Sequence, residues 1–594
     1  MKRRILSLVL AILMVMPLLV ACSDKEGKES AIDIVADGVS DYTIVYSNNK
    51  SATVEKAAAD ALRTAIQEAT GVKLDAKNDW MPSNMTPPAT AKEILIGETN
   101  RTESKNALAL VRAKDFVITY ENERVVITGG NADATRRAVD HFIANYIKKD
   151  DAKVTVISNK QDMVRFDYML GDVSIDGVSI KEYTVVYPEG ADLVTYYLAH
   201  NISDYFLTNA GYALNVTSDK ATAQKYEILV GSTNRSEDDA AVAMALGDDQ
   251  YVLCKNGDKI VMWGKSYMVG GAASALVNTF VQSAGVNTDV NVTSLPASPA
   301  AATFSFKKAT SAILMIGDGM GFNHILSAGA IGMTEFVADR LPSTSCTTHS
   351  QSVINNQAEF TDSAAAATAL ATGYKTINGF IGVDAAGVNR QNVRELAHAT
   401  GARTAVITTD VITGATPAGF LCHSGSRNDT SILQSQIDDL IKTGGVNYAV
   451  GGFKEKELTD YAREALSVIS ENGSDYFIMI EEAHIDKHSH KNTLSDVQLA
   501  VTYYNDAIAY VIGFVMMHPD TALIVTADHE CGKMYIDQDT GAFRFDSDDH
   551  SNTQVPFYAI GGGTAELLAS APVLDNTMVA KFIAEIFGAN SFGQ

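Results

Sequence analysis

Acidic residues end four apolar segments of the chain, and acids grouped in this way are typical of a metal site. The segments are AILMIGD, TAVITTD, YFIMIEE and TALIVTADH, which end at Asp318, Asp410, Glu481–Glu482 and Asp528–His529. Each has the length and composition of a buried strand. Parallel strands end at one edge of an open α/β sheet, where ligands bind. Several carboxylates at that edge would repel one another unless cations neutralise them, so the pattern predicts bound metal.

Ser363 is the candidate nucleophile. It lies in TDSAAAATALATG, an alanine-rich segment that is predicted to form a helix ending at its glycine. A serine at this place can simply cap the helix. It can also react, because a helix N-terminus stabilises negative charge on the serine oxygen and on a phosphoryl group attached to it. The segment by itself leaves both interpretations open.

Five ordered motifs in the C-terminal half resemble those of the alkaline phosphatase family. They are IGDGMG, TDSAAAATALATGYKTINGFIGVD, GATPAGFLCHSGSR, EEAHIDKHSH and VTADHECG. The resemblance covers roughly residues 311–590 and implies a three-layer α/β/α sandwich. It also implies metal-dependent hydrolysis of phosphate monoesters, with Ser363 transiently phosphorylated and inorganic phosphate released. A phosphodiesterase or another hydrolase of the broader superfamily is the nearest alternative.

The resemblance further implies a site for two zinc ions and one magnesium ion. The implied ligands are Asp318, Ser363, Asp528 and His529 for one zinc, Asp486, His490 and His550 for the other, and Asp318, Thr416 and Glu481 for magnesium. Asp486 and His490 are four residues apart, so a helix would present both on one face. His484 and His488 share that spacing, but we expect them to support the site from outside. Cys531 is an alternative thiolate ligand that an oxygen-rich site does not need.

Two cations complete the predicted site. The resemblance implies that Arg427, four residues after His423, binds phosphate, and its planar guanidinium suits two phosphate oxygens at once. Lys487 would add a point charge nearby. One position departs from the family's pattern, because Gly414 stands where members commonly carry Asp or His. We therefore expect weaker magnesium retention and no carboxylate partner for Lys487.

An internal duplication precedes this region. DGVSDYTIVYS at Asp37 returns as DGVSIKEYTVVYP at Asp176, and EILIGETNR at Glu93 returns as EILVGSTNR at Glu227. Each copy is predicted to be a small α+β module. The predicted organisation is copy 1 at 33–165, copy 2 at 166–292, a linker at 293–310 and the catalytic domain at 311–594.

The GxTNR motif of both copies resembles accessory domains found ahead of bacterial glycoside hydrolases. Glycan contact by the modules is thus one hypothesis. The alternative is a spacer that holds the catalytic domain away from a membrane. A glycan-binding surface lipoprotein with a vestigial catalytic domain is the corresponding alternative for the whole chain.

The N-terminus indicates export. Residues 1–21 resemble a bacterial lipoprotein signal peptide, with basic residues at positions 2–4 and an apolar run that ends before Cys22. This implies a lipid on Cys22, a tether at 22–32 and a location in the cell envelope, on the periplasmic or extracellular face. A plain signal peptide or an uncleaved anchor helix is the alternative.

Composition limits the remaining classes. With 594 residues, 46% of them hydrophobic and 20% charged, the chain is long enough for several globular domains. A mean hydropathy near zero argues against a polytopic membrane protein. The net charge of −24 argues against nucleic acid as a partner. Dimers are common in the family that the motifs resemble, so the resemblance allows a homodimer.

Overall fold

The computed structural model divides the chain into two compact units, one ending at Phe166 and the other beginning at Asp167. The residues that it describes are 30–49, 52–148, 153–157, 160–281 and 285–593. The predicted signal peptide, its cleavage site and Cys22 lie outside these residues.

The first unit is an α+β module built on a six-stranded sheet. In spatial order its strands are Ala76–Asn78, Thr43–Tyr46, Glu93–Ile96, Arg124–Gly129, Phe116–Glu121 and Gln161–Val164. The helices Ala52–Thr70 and Ala132–Tyr146 pack against each other and against this sheet. A shorter helix, Thr102–Leu108, contacts the sheet as well. A second small sheet pairs Ala31–Val35 with Lys153–Ile157.

Copy 2 repeats this architecture within the second unit. In the same spatial order its strands are Asn215–Ser218, Thr184–Tyr187, Glu227–Val230, Lys259–Gly264, Gln250–Asn256 and Ala301–Thr303. Its two long helices are Leu193–Ala210 and Val269–Val281. The last strand lies inside the segment predicted as a linker, 293–310, and pairs with the edge of the copy 2 sheet. Part of that segment therefore completes copy 2, just as Gln161–Val164 completes copy 1.

The C-terminal region is built on an eight-stranded sheet. In chain order its strands are β1 (Ser311–Gly317), β2 (Ser343–Thr347), β3 (Arg403–Thr408), β4 (Tyr448–Gly451), β5 (Tyr476–Glu482), β6 (Thr521–Thr526), β7 (Val555–Ile560) and β8 (Leu574–Asp575). They lie in the spatial order β4-β3-β5-β1-β6-β7-β2-β8. β7 runs antiparallel to both of its neighbours, whereas the other neighbouring pairs are parallel. All residues of β1, β5 and β6 are buried, as expected for central strands covered on both faces.

Helices form the two outer layers. Four of them concern the site and are labelled α1 (Ser363–Thr372), α2 (Ala415–Leu421), α3 (His484–Ser489) and α4 (Leu494–Met517). α1 and α2 pack with Val393–Ala399 and Thr577–Ile586, while α3 and α4 pack with Phe322–Ala328 and Leu458–Ile469. The two groups cover the sheet from opposite faces, so the predicted three-layer α/β/α fold is confirmed.

α4 is long and apolar enough to cross a membrane, and among the described residues no other helix meets that test. Here it is a core helix, because most of it is buried between α3 and the copy 2 helix Leu193–Ala210. Gly513 permits this close packing, since a Cβ atom there would lie 2.5 Å from Oδ1 of Asn201.

Polar contacts reinforce the packing of copy 2 on the C-terminal region. Arg463 donates to Asp204, and the buried hydroxyl of Tyr510 donates to the same carboxylate at 3.2 Å. The hydroxyls of Thr208 and Ser467 lie 2.8 Å apart. Copy 2 and the C-terminal region are thus one packed body.

Candidate active site

The acids that end the central strands meet at one edge of the eight-stranded sheet. Asp318 follows β1, and Asp528 and His529 follow the neighbouring strand β6. Nε2 of His529 lies 3.5 Å from Oδ1 of Asp318 and 3.2 Å from Oδ2 of Asp528. The backbone N–H groups of Gly319 and His529 donate to the other oxygen of Asp528, at 3.1 and 2.9 Å, and so fix its orientation. The structure therefore brings these three predicted ligands together.

Ser363 joins this group as the first residue of α1. Its Oγ lies 3.1 Å from Nε2 of His529. The residue that caps α1 is Asp362, whose carboxylate accepts from the N–H of Ala365 at 2.9 Å. Ser363 is therefore not the capping residue of this helix, and its role as nucleophile stays a prediction. A second residue able to cap the helix, Asp362, stands directly before the serine, and this was the signal in the sequence for the arrangement.

Asp486, His490 and His550 form a second group of ligands beside the first. Asp486 and His490 lie four residues apart at α3, with Oδ2 and Nε2 separated by 3.3 Å. Nε2 of His550 lies 3.5 Å from Oδ1 of Asp486 and 3.1 Å from Nε2 of His490. The carbonyl of Thr361 lies 2.7 Å from Nδ1 of His550, which fixes the ring. A backbone contact of this kind leaves Nε2 as the nitrogen that can bind a metal.

Glu481 and Thr416 form the third group. Thr408 donates a short hydrogen bond to Glu481, which is completely buried at the end of β5. Burial, with the charges of Asp410 and Asp528, raises the pKa of Glu481 to about 8. Thr416 lies in the first turn of α2 with its hydroxyl oxygen buried and without a hydrogen-bond partner in the described part of the chain.

The donor atoms of these groups fit metal ions. In the described residues, Oδ1 of Asp318, Oδ1 of Asp486, Oδ2 of Asp528 and Oγ1 of Thr416 are buried without a hydrogen-bond partner. Buried polar atoms of this kind are costly unless they bind something. Burial and the neighbouring carboxylates also raise the pKa of Asp318 well above its usual range. Burial lowers the pKa of His529, which keeps the imidazole neutral and able to bind a metal.

Arg427 and Lys487 border the site, each held by a carboxylate. The guanidinium of Arg427 donates to Asp362 at 3.2 Å, so the residue that caps α1 also orients the arginine. Lys487 donates a short hydrogen bond to Asp410. The expectation that Lys487 has no carboxylate partner was therefore wrong. Oδ2 of Asp410 lies 2.6 Å from the place of a Cβ atom at Gly414, so Asp410 occupies the space that the glycine leaves open.

The alternative ligands take other roles. His484 and His488 face Glu455, at 3.6 and 3.2 Å, on the outer side of α3. Cys531 lies close enough to Asp486 and His490 to join the second group geometrically. However, burial and the charge of Asp486 raise the pKa of its thiol, which disfavours the thiolate that a metal would need.

The GxTNR motif holds each module together internally. Arg101 of copy 1 is 4% exposed and donates to both oxygens of Glu93, at 3.0 and 2.8 Å. Arg235 of copy 2 makes the same pair of bonds to Glu227. The two arginine side chains are therefore not available to a glycan. The glycan hypothesis, which was based on this motif, gains no support from it.

Comparison with known proteins gives the family of the C-terminal region. Residues 309–443 and 439–541 match the alkaline phosphatase family model. Alkaline phosphatase 4 of Bacillus subtilis is 30% identical over 286 residues, which are 37% of this chain and 61% of that protein. Alkaline phosphatase of Escherichia coli is 40% identical over 134 residues, which are 21% of this chain and 28% of that protein. Residues 309–541 thus match the alkaline phosphatase family, as the motifs of this region predicted.

The match is partial in length. The chain spans 61% and 62% of the two Bacillus subtilis relatives, alkaline phosphatases 4 and 3. Among solved structures, the alkaline phosphatase of the Antarctic bacterium TAB5 aligns with a TM-score of 0.44 and 22% identity, over 48% of this chain and 100% of that one.

Proposed function

We propose that this protein is a metal-dependent phosphate monoester hydrolase that works through a phosphoserine at Ser363. The observation that carries the proposal is the position of Ser363. Its buried side chain lies at the N-terminus of α1, with Oγ 3.1 Å from Nε2 of His529, whose ring stacks on that of His550 in the second ligand group. Nucleophile, ligand groups and phosphate-binding cation are all present, which disfavours a vestigial domain.

Different side chains bind the phosphate and attack it. Arg427 binds two nonbridging oxygens of the phosphate through its planar guanidinium. The N-terminus of α1 favours negative charge at the same place, because its first backbone N–H groups point towards the serine. Oγ of Ser363 attacks phosphorus, the alcohol leaves, and water later releases inorganic phosphate from the serine. Lys487, oriented by Asp410, adds positive charge beside the phosphate.

The residues present would hold two zinc ions and one magnesium ion. Imidazole and carboxylate groups suit zinc, and oxygen donors suit magnesium. One zinc would be held by Asp318, Asp528, His529 and Ser363, and the second by Asp486, His490 and His550. Magnesium would be held by Asp318, Thr416 and Glu481. Bound there, such ions act as Lewis acids that stabilise charge on phosphate oxygens and make a serine hydroxyl and water acidic enough to react.

Ser363→Ala tests the proposal directly. We expect turnover of an aryl phosphate to fall by at least about 10³-fold, because nucleophile and intermediate are lost together. The mutant should also no longer incorporate phosphate covalently in an acid quench. Ser431→Ala is the matched control, because Ser431 is an exposed serine in the first turn of another helix, Thr430–Thr443. Near-wild-type turnover by Ser363→Ala would refute the proposal.

Substrate class is tested with the same preparation. Arg427 and the Thr416–Glu481 group favour a monoester, whose extra charge they can stabilise. We therefore expect a higher kcat/KM for an aryl phosphate than for the corresponding diester. The reverse preference would identify a phosphodiesterase of the same superfamily.

We also propose export and lipid anchoring through Cys22. The support is the sequence of residues 1–22, which lie outside the described residues. In cells, Cys22→Ala should move the protein from the detergent phase to the aqueous phase, whereas Ser23→Ala should not. Aqueous partitioning of the wild type would contradict the anchor.

A further inference from the structure

A cavity of about 380 Å³ opens in the first unit. Its walls come from the strand Phe116–Glu121, the end of the helix Ala132–Tyr146 and the edge strand Gln161–Val164. Its size lies within the range of about 300–1,000 Å³ that is common for small-ligand sites. It shares no residue with the phosphatase site.

Asp162 organises the polar side of this cavity. Its Oδ2 accepts a hydrogen bond from the hydroxyl of Tyr146 at 2.8 Å and lies 3.0 Å from Nε2 of His141. Burial and the charge of Asp162 raise the pKa of Tyr146, which keeps the phenol protonated as a donor. Oδ1 of Asp162 and Nδ1 of His141 make no further hydrogen bond to the described residues. One acceptor and one ring nitrogen therefore remain for a ligand.

Lys148 and Lys160 give the cavity a positive rim. Both ammonium groups are on exposed side chains that line the cavity, and neither forms an ion pair with a described residue. Asp162 is the single carboxylate among the lining residues that the structure describes. Two lysines against one carboxylate in the described lining are notable in a chain with a net charge of −24. This balance favours a ligand that carries negative charge.

Copy 2 shows that the fold does not need these polar groups. Val117 and Val252 occupy the same place in the two sheets, and their partners on the last strand are Met163 and Ala301. The residue before each partner is Asp162 in copy 1 and Ala300 in copy 2. Gly129, the last residue of its strand, lies against Ala134, and the equivalent Gly264 lies against Met268. Ala134 and Met268 are therefore equivalent positions at the start of the two helices. Counting along these helices places Ala275 and Phe280 at the positions of His141 and Tyr146.

The difference between the copies is therefore chemical. Where copy 1 has a carboxylate, an imidazole and a phenol, copy 2 has two alanines and a phenylalanine. Phe280 is fully buried in the apolar core of copy 2, and Ala275 packs against that core. Copy 2 adopts the same architecture without the polar cluster, so the fold itself does not require it.

We propose that the cavity binds an acidic carbohydrate, such as a hexuronate unit of a surface polysaccharide. Asp162 and His141 would exchange hydrogen bonds with ring hydroxyls, in the way that a few placed polar groups orient a ligand in a site. Tyr120 and Tyr146 offer ring surface with a polar tip, which suits the apolar face of a sugar. The two lysines face its carboxylate.

The test uses the full-length protein, with tetragalacturonate as the probe in isothermal titration calorimetry at low salt. Lys148→Ala/Lys160→Ala should weaken binding about tenfold, since two exposed ion pairs of about 0.7 kcal/mol each are lost. His141→Ala, which introduces the copy 2 residue, should weaken binding as well. Lys220→Ala/Lys225→Ala is the matched control, because these are exposed lysines of copy 2.

Two further measurements separate this proposal from its alternatives. All variants should retain wild-type turnover of an aryl phosphate and the wild-type Tm, which shows that they fold. Cellotetraose, a neutral tetrasaccharide, should bind more weakly than tetragalacturonate. The proposal is overturned if tetragalacturonate does not bind, if it binds the lysine variant as tightly as the wild type, or if the copy 2 control weakens binding equally.

Discussion

The two copies of the module have the same fold but different surfaces. Gly97 and Gly231 follow corresponding strands of the two sheets. Gly97 lies against Glu55 and Gly231 lies against Thr195, so these two helix positions correspond. The residues directly before them, Val54 and Val194, are therefore equivalent. Val54 is 38% exposed, whereas Val194 is 1% exposed and belongs to the core of the C-terminal region. The same side chain at the same position is thus surface in one copy and core in the other.

The composition of the two helices explains this difference. Ala52–Thr70 carries charged residues along its outer face and is amphipathic. Leu193–Ala210 carries one acidic residue, Asp204, and no lysine or arginine, and 13 of its 18 residues are buried. A helix with so few charged side chains can be covered on most sides. Copy 2 is therefore part of the packing of the C-terminal region, whereas the corresponding position of copy 1 lies at the surface.

The largest expected effect comes from placing the same charge in both copies. Val194→Asp should destabilise the second unit by at least about 3 kcal/mol, because it buries an unpaired carboxylate. Val54→Asp should change stability by less than about 0.5 kcal/mol, because the site is partly exposed. Urea unfolding followed by circular dichroism measures both. Equal effects would show that the two helices do not differ as described.

An intermediate effect is expected from the polar contact that ties copy 2 to the C-terminal region. Asp204→Ala should cost about 2 kcal/mol, since it removes a partner of the buried Tyr510 hydroxyl and of the partly exposed Arg463. Thr64→Ala, at the equivalent exposed position of copy 1, is the control. The difference in urea midpoint between the two variants gives the value. No difference would mean that the contact contributes nothing to stability.

The smallest expected effect depends on pH and concerns copy 1. Burial raises the pKa of Glu55 to about 7 from its usual value of 4.5. Folding therefore favours the protonated form, and this contribution to stability is lost as pH rises from about 4.5 through 7. Glu55→Gln should stabilise the first unit by about 1–2 kcal/mol at pH 8 and by little at pH 4.5. Thermal unfolding at both pH values measures this.

The exposed Glu68 on the same helix provides the control for that experiment. Glu68→Gln should leave the first unit's stability unchanged at both pH values. A pH-independent gain in Glu55→Gln would show that the carboxylate does not titrate in the predicted range. The corresponding residue of copy 2 is Thr195, which has no carboxylate to titrate. The stability of the second unit therefore serves as an internal reference for the pH effect.

Much of the clustering in the candidate site could be predicted because its residues lie in local motifs. Asp318 directly follows a strand and Ser363 begins a helix, and both places are recognisable from a few neighbouring residues. The partner of Lys487 could not be predicted in this way. Asp410 is 77 residues away in the chain, and its place depends on the neighbouring positions of β3 and β5 and on the space left by Gly414.

The N-terminal half shows the same limit. The repeated sequence predicted two modules, and the GxTNR motif suggested glycan contact as one of two hypotheses. Its arginines are buried partners of Glu93 and Glu227. The short strand Ala301–Thr303 was hidden in a segment rich in alanine and proline. Its pairing with Gln250–Val252 is a tertiary contact that no local pattern indicates.

The sequence by itself determined which chemistry is available to this protein, because the types of its donor residues and their order along the chain give a candidate nucleophile and candidate metal ligands. It also determined that the helix Ala52–Thr70 of copy 1 carries more charged side chains than its counterpart Leu193–Ala210 in copy 2. Only the tertiary structure decided which groups meet. Asp410 reaches Lys487, Asp362 serves both α1 and Arg427, and Asp162 gathers His141 and Tyr146 around a cavity, since such contacts depend on strands and helices that are distant in the chain.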